Sequence, residues 1–341
     1  MAPSLTDPWT LGPLQVPNRV MLAPLAGIGN WFVRLQAKRY GAGMAVSEMV
    51  SSHAIHYRNE RTCNELLRID PREHVGGPIA IQLFGEEPAM MRSAAARVVE
   101  AGADAIDINM GCPVPKVRKT GAGAALLADP DRAVAVARAA VEGAAVAGGL
   151  PVTVKLRSGL RPGDRSSGFE LAHRLVEEAG VAAIAFHPRS AAVHHKGVPD
   201  YELAARLVRS LPAPVILTGG LNDATRVREV FELTGATAVM LARGCLGNPW
   251  LFRELLDDRE HTPSRQEIVA ELYWVIEQAV EHLGADRATR YLRKFYPWYV
   301  TRLEPRRAIA KSLQESLQSA QTLELVRGLL AREALGAPLP V

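Results

Sequence analysis

The chain is short of cysteine, of long apolar runs and of net charge, and each shortage excludes something. Only Cys63, Cys112 and Cys245 occur among 341 residues. So odd and sparse a set is no disulfide framework, and it fits a reducing cytoplasm. None of their spacings resembles a zinc site, so no metal is expected. No stretch approaches bilayer-spanning length. The residues before Val20 lack a charged segment followed by an apolar block, so no secretory leader is expected. The net charge of +4 is a weak argument for an anionic partner. What the chain has in quantity is hydrophobic residues, at 48%. That is enough for a full core, in a length that suits one large barrel or a large domain with a smaller companion.

From Val20 to about Leu251, short apolar runs alternate with amphipathic segments. The runs Val20–Ala23, Met44–Ser47, Ile79–Leu83, Ala105–Ile108, Val152–Leu156, Ala182–Phe186, Pro214–Leu217 and Ala238–Leu241 read as parallel strands buried on both faces. Helices are expected between them, for example over Pro88–Ala101, Pro130–Ala147, Gly168–Ala179 and Ala224–Thr234, with Gly102, Gly180 and Gly235 as stop signals after three of these. Eight such units predict an α/β fold, a (β/α)8 TIM barrel, with a doubly wound sheet as the alternative topology. After Asp258 the strand runs cease, and Ser264–Leu283, Ala285–Tyr296, Arg306–Gln318 and Thr322–Leu335 read as helices. The expected division is a barrel over 1–258 and a small C-terminal helical domain over 259–341, with Pro263 as punctuation.

A barrel places its functional groups just after its strands. The positions that follow or end the eight runs are Pro24-Leu25-Ala26-Gly27, Glu48-Met49, Gln82, Asn109 with Cys112, Lys155 with Arg157, His187 with Arg189, Gly219-Gly220, and Arg243-Gly244. Polar residues and glycines thus recur at one end of every unit. The last two turns suit a phosphate, because backbone N–H groups and an arginine favour an anion there. Lys155 lies on an otherwise apolar strand and cannot stay buried unpaired. A Schiff-base nucleophile, a structural ion pair and a cation beside a flavin ring all fit it. His194, His195 and Lys196 follow in a loop, without the spacing of a metal site.

The most telling stretch is Asp107-Ile108-Asn109-Met110-Gly111-Cys112-Pro113, followed by Lys116, Arg118 and Lys119. A thiol on a Gly-Cys-Pro turn at a strand end can face a ligand. Together with Ala23–Gly27, Ser47–Met49, Val154–Arg157, His187–Arg189 and Gly247-Asn248-Pro249-Trp250, it resembles the bacterial tRNA-dihydrouridine synthase family, from the start of the barrel to the last helices.

The resemblance implies an FMN-dependent oxidoreductase that reduces the C5–C6 double bond of uridines in tRNA, with NADPH (or NADH) as reductant and Cys112 as proton donor. It implies FMN contacts from Pro24, Leu25, Ala26, Gln82, Lys155, His187, Gly219, Gly220, Arg243 and Gly244, and substrate contacts from Asn109, Arg157, Arg189, Arg293 and Lys294. The segment Arg290–Tyr299 interleaves cations with aromatics, within a cluster made of Arg287, Arg290, Arg293, Lys294, Arg302, Arg306 and Arg307. It resembles the family's RNA-binding helical domain, in which cations meet phosphates and most aromatics are expected to be packing. Three segments depart from the common pattern, at Thr218-Gly219-Gly220, Ala242-Arg243-Gly244 and His187–Ser190. They touch the expected ribityl and phosphate contacts and leave the cysteine and lysine intact. Two rivals are a flavin barrel acting on a free pyrimidine, against which the basic-aromatic segment argues, and an RNA-binding protein without chemistry, against which Cys112 and Lys155 argue.

Overall fold

A computed structural model describes residues 3–303 and 307–334. Of the expected cation cluster, Arg306 and the side chain of Arg307 lie outside the described residues. The chain divides into two compact units, Met1–Gly244 and Cys245–Val341.

The first unit is a closed barrel of eight parallel strands. They are β3 (Val20–Leu22), β4 (Met44–Ser51), β5 (Ile79–Phe84), β6 (Ala105–Met110), β7 (Val152–Arg157), β8 (Ala183–His187), β9 (Val215–Thr218) and β10 (Ala238–Leu241). They follow one another in chain order, and β10 pairs with β3 to close the ring. All eight expected strands are present, so the doubly wound alternative falls. Helices cover the outside: α1 (Trp31–Arg39), α2 (Ser52–His56), α3 (Pro88–Glu100), α4 (Pro115–Arg118), α5 (Pro130–Ala147), α6 (Ser167–Ala179), α7 (Tyr201–Ser210) and α8 (Ala224–Thr234). Local chemistry sets their limits. Pro130 opens α5 with Asp129 capping the Arg132 N–H. Gly180 and Gly235 close α6 and α8 in the left-handed conformation, with φ of 73° and 64°.

A short antiparallel hairpin, β1 (Trp9–Leu11) with β2 (Leu14–Val16), precedes the barrel and is not among the expected strands. Trp9, Leu11 and Val16 share one buried cluster with Met21, Met44, Ala80, Ala105, Ala183, Ala185, Ile216, Ala238 and Met240. These strand residues sit near the N-terminal ends of their strands. The hairpin therefore plugs that end of the barrel, and the alanines leave room for its large side chains. Strands of three residues carry too little periodicity to be seen in sequence.

The second unit begins earlier than expected. Helix α9 (Trp250–Leu256) belongs to it, because Gly247 (φ 61°) lies against Trp298, where a Cβ would come within 2.7 Å of the tryptophan's backbone. The expected boundary after Asp258 falls beyond this helix. Helix α10 (Arg265–Leu283) starts on a reciprocal cap between Ser264 and Glu267. The expected helix Ala285–Tyr296 ends at Leu292 as α11 (Ala285–Leu292), and α12 (Tyr296–Leu303) restarts with Pro297 in its first turn, where the missing N–H costs nothing. Helices α13 (Arg307–Ser319) and α14 (Leu323–Ala334) follow.

Candidate active site

The barrel interior changes character along its axis. Side chains alternate faces along a strand, so residues two apart share a face. On the face that supplies Ala80, Ala105, Ala183, Ala185 and Ile216 to the apolar plug, the next positions toward the strand ends are Gln82, Asp107, Asn109, His187 and Thr218. Thr153, Lys155 and Arg157 alternate likewise along β7, in register with Asp107, Asn109 and β8. An apolar base thus gives way to a polar mouth within a few ångströms.

Cys112 is half-buried, just beyond β6, and its backbone is pinned on both sides. Its N–H donates to Asn109 Oδ1 at 2.9 Å, and its carbonyl accepts from the Ala124 N–H at 3.0 Å. The preceding Gly111 N–H also donates to Asn109 Oδ1, at 3.2 Å. The Gly111 carbonyl accepts from Arg157 Nε at 2.9 Å. Gly123 (φ 62°) passes so close that a Cβ there would stand 2.9 Å from the Cys112 carbonyl oxygen. The turn is thereby held as firmly as a strand.

Arg157 does more than hold Gly111. Its Nη1 donates to the carbonyls of Ser190 (3.2 Å) and His194 (2.8 Å), so one buried guanidinium ties the cysteine turn to the loop after β8. Arg189 lies in that loop. Its Nη1 donates to His187 Nε2 at 3.3 Å, and its Nη2 donates to the Gly197 carbonyl. Arginine is always a donor, so the imidazole must accept at Nε2 and carry its hydrogen on Nδ1. Burial, then the cations Lys155, Arg157 and Arg189, hold the His187 pKa well below its usual value, so the ring is neutral. His195 is exposed and stacks on His187 with centroids 6.1 Å apart.

Lys155 is half-buried and makes no hydrogen bond or ion pair among the described residues. Burial, then Arg157, pushes its pKa down to about 8, against the pull of Asp107 and the Cys112 sulfur. An ammonium so placed calls for an electron-rich or anionic ligand. Gln82 and Asn109, both buried, form an amide chain, with Asn109 Nδ2 donating to Gln82 Oε1 at 2.8 Å. Gln82 retains one amide hydrogen to offer outward.

Gly219 and Gly220 follow β9 with φ of 100° and 78°. A Cβ at Gly219 would stand 2.3 Å from the His187 ring, and one at Gly220 would stand 2.4 Å from the Tyr201 hydroxyl, which itself donates to the Gly219 carbonyl at 3.0 Å. Only glycine fits at either position. Arg243 is exposed on the turn after β10 and acts electrostatically on both His195 and Arg189. Near the first strand, the Gly27 N–H donates to Glu48 Oε2 at 2.7 Å, leaving Ala26 exposed and Pro24 half-buried. The Leu25 side chain is buried.

Pro24, Gln82, Lys155, His187, Gly219, Gly220 and Arg243 thus gather at the strand ends of one mouth with Cys112. The chemistry fits a flavin mononucleotide: an unpaired ammonium, a spare amide hydrogen and a neutral imidazole suit a ring, and glycine turns with an arginine suit a phosphate. Asn109, Arg157 and Arg189 direct the donors described above to protein carbonyls, to Gln82 and to His187. Asp107, Thr153 and Tyr201 were given no role from sequence. A carboxylate on an apolar strand was the signal available for Asp107.

Arg293 and Lys294 belong to the second unit and are exposed, while Phe295, Tyr296 and Tyr299 beside them are buried as packing. No group of three or more metal-ligating side chains occurs among the described residues, and no described helix is long and apolar enough to cross a membrane.

Solved structures similar in fold include morphinone reductase (TM-score 0.53, 19% identity, 79% of this chain and 93% of that one) and a 2-naphthoyl-CoA reductase complex (TM-score 0.59, 13% identity, 76% and 53%). Among sequences, tRNA-dihydrouridine synthase B of Pseudomonas aeruginosa is 37% identical over 303 residues, covering 86% of this chain and 87% of its own. The protein of that name from Vibrio cholerae is 33% identical over 323 residues, covering 93% and 97%. Residues 21–334 match the family described as Dihydrouridine synthase (Dus), and the chain belongs to that family of flavin-dependent oxidoreductases.

Proposed function

We propose that this protein reduces the C5–C6 double bond of uridines in tRNA, with FMN held by the barrel mouth, NADPH or NADH as the source of electrons, and Cys112 as the acid. The observation that carries the reading is the pinned Cys112 turn opening onto a mouth that holds the half-buried, unpaired Lys155.

In this reading Pro24, Leu25, Ala26, Gln82, Lys155 and His187 would hold the ring of FMN, and Gly219, Gly220, Arg243 and Gly244 its phosphate. FMN held there would supply a hydride for C6 of the uracil. Cys112 gives its thiol proton to C5, so one hydride and one proton complete a two-electron reduction. The thiolate left behind faces Lys155 and Arg157, both of which interact favourably with its charge. The neutral His187 donates from Nδ1 to a carbonyl without competing for the proton. Arg293 and Lys294 contact tRNA phosphates, and the uridine leaves its stack to enter the mouth.

The test is Cys112→Ala assayed for dihydrouridine in tRNA taken from cells lacking the gene. The variant should keep FMN and tRNA affinity and lose on the order of a hundredfold or more in turnover. Cys63→Ala and Cys245→Ala should remain active. Near-normal turnover without the Cys112 thiol would overturn the assignment of the acid.

A further inference from the structure

We propose that Asp107 is a positioning residue: its carboxylate anchors the Gln82–Asn109 amide chain and, through it, the turn that presents Cys112. The proposal rests on the functional reading above for its activity arm and on geometry alone for its thiol arm.

Asp107 is one of the most deeply buried charged groups of the barrel, with 1% exposure, and the reaction as described does not use it. Register places it between two partners. Gln82 is paired with it across β5 and β6, and Thr153 is paired with it across β6 and β7. Partners in register on parallel strands project to the same face. Asp107 Oδ1 accepts from Thr153 Oγ1 at 2.6 Å, and Oδ2 accepts from Gln82 Nε2 at 2.6 Å. Gln82 Oε1 then accepts from Asn109 Nδ2 at 2.8 Å, and Asn109 Oδ1 accepts from the N–H groups of Gly111 and Cys112.

The direction of this chain is fixed at both ends. A carboxylate offers acceptors only, and a pair of backbone N–H groups offers donors only. Each amide between them has one orientation that satisfies every atom. Turning Gln82 over would set its carbonyl oxygen against the carboxylate and its N–H2 against that of Asn109. Asp107 therefore decides which end of the Gln82 amide remains for a ligand. It also holds Gln82 close enough to brace Asn109 beneath the cysteine turn. Ionised acceptors make the stronger bonds of such a chain, and both bonds to this carboxylate are short.

The chain also predicts an unusual pattern of substitutions. In Asp107→Asn one side-chain position must become a donor. Thr153 can adapt, because its hydroxyl can accept from the new N–H2 and send its own hydrogen to the Ile106 carbonyl, 3.5 Å away. Gln82 then keeps its acceptor, and the turn stays in place. Thr153→Val alone leaves the carboxylate to hold Gln82. In the double variant Asp107→Asn/Thr153→Val the N–H2 has lost its acceptor, and the amide chain loses its fixed direction. The two changes should be far from additive, as expected for groups sharing one network.

The experiment measures the four proteins (wild type, each single variant and the double) in two ways. The first is the alkylation rate of Cys112 by iodoacetamide in protein stripped of flavin, with Cys63 replaced by alanine throughout. The second is turnover per bound FMN with saturating tRNA, together with KM. Each single variant should lie within about threefold of wild type in both. The double variant should change the alkylation rate at least fivefold and lower turnover at least tenfold, with KM for tRNA within twofold. Additive effects, or a double variant that loses only melting temperature while keeping both rates, would overturn the proposal. If the wild type itself forms no dihydrouridine, the functional reading fails, while the alkylation arm still decides the role of Asp107. Should the double variant not fold, Asp107→Leu read by the same alkylation assay takes its place, and an unchanged rate there also overturns the proposal.

Discussion

The two ends of the barrel interior are built on the same eight strands and obey opposite rules. At the base, Trp9, Leu11 and Val16 meet alanine and methionine side chains, and the cluster is held by apolar contact. At the mouth, Lys155, Arg157 and His187 crowd together, and Gln82, Asp107 and Asn109 are joined by directed hydrogen bonds. Apolar packing tolerates small shifts at modest cost. A buried polar network does not, since each unmatched donor or acceptor costs the full desolvation of that group. Stability is therefore concentrated where geometry matters less, and geometry is enforced where chemistry needs it.

The largest expected effect tests the base. Trp9→Ala should cost about 3–5 kcal/mol of stability, the usual range for emptying a buried aromatic site. Its turnover per folded, flavin-loaded molecule should stay near wild type. Thermal melts read beside turnover decide the matter; a matching loss of turnover would mean that the base also positions the mouth.

A smaller effect sharpens the mouth's side of the contrast. Arg157→Lys keeps the charge but cannot reach the carbonyls of Gly111, Ser190 and His194 together. Displacing the cysteine turn should lower turnover by about tenfold or more, with a smaller change in tRNA affinity, since small misplacements of reacting groups are costly. Full activity in the lysine variant would reduce Arg157 to a charge.

The smallest effect is one of pH. Burial, and then Arg157, push the Lys155 pKa down from its ordinary 10.5 to about 8. Between those values the unfolded chain binds the proton and the folded one does not. Stability of the flavin-free protein should therefore gain a contribution as pH rises from about 8 to 10.5. FMN affinity should move the other way, weakening several-fold above pH 8 as the mouth loses that charge. Titration of FMN binding by fluorescence across this range checks it, and Lys155→Met should remove the step.

Much of this is legible in the sequence. The eight apolar runs, the glycines that end α6 and α8, and the recurrence of polar residues after strands depend on local spacing and backbone sterics. The direction of each donor was not legible. For Asn109, Arg157 and Arg189 the resemblance implies substrate contacts, and the structure shows where some of their donors go. Asn109 donates to Gln82 Oε1 across the strands, Arg157 to carbonyls of Gly111, Ser190 and His194 from the neighbouring units, and Arg189 to the Gly197 carbonyl of its own loop. The start of the second unit depends on a similarly non-local contact, because Gly247 packs on Trp298, 51 residues away in sequence.

By itself, the sequence determined the alternation of strand and helix, the family to which the chain belongs, and the presence of a thiol, an ammonium and an imidazole at the same end of the barrel. Period and turn chemistry are local properties that neighbouring residues carry. Tertiary structure alone decided that Asp107, Gln82, Asn109 and Thr153 form one directed chain, that Arg189 sets the His187 tautomer, and that Arg157 joins two loops. Each of these depends on which residues of neighbouring strands fall into register when the barrel closes, and no single strand contains that information.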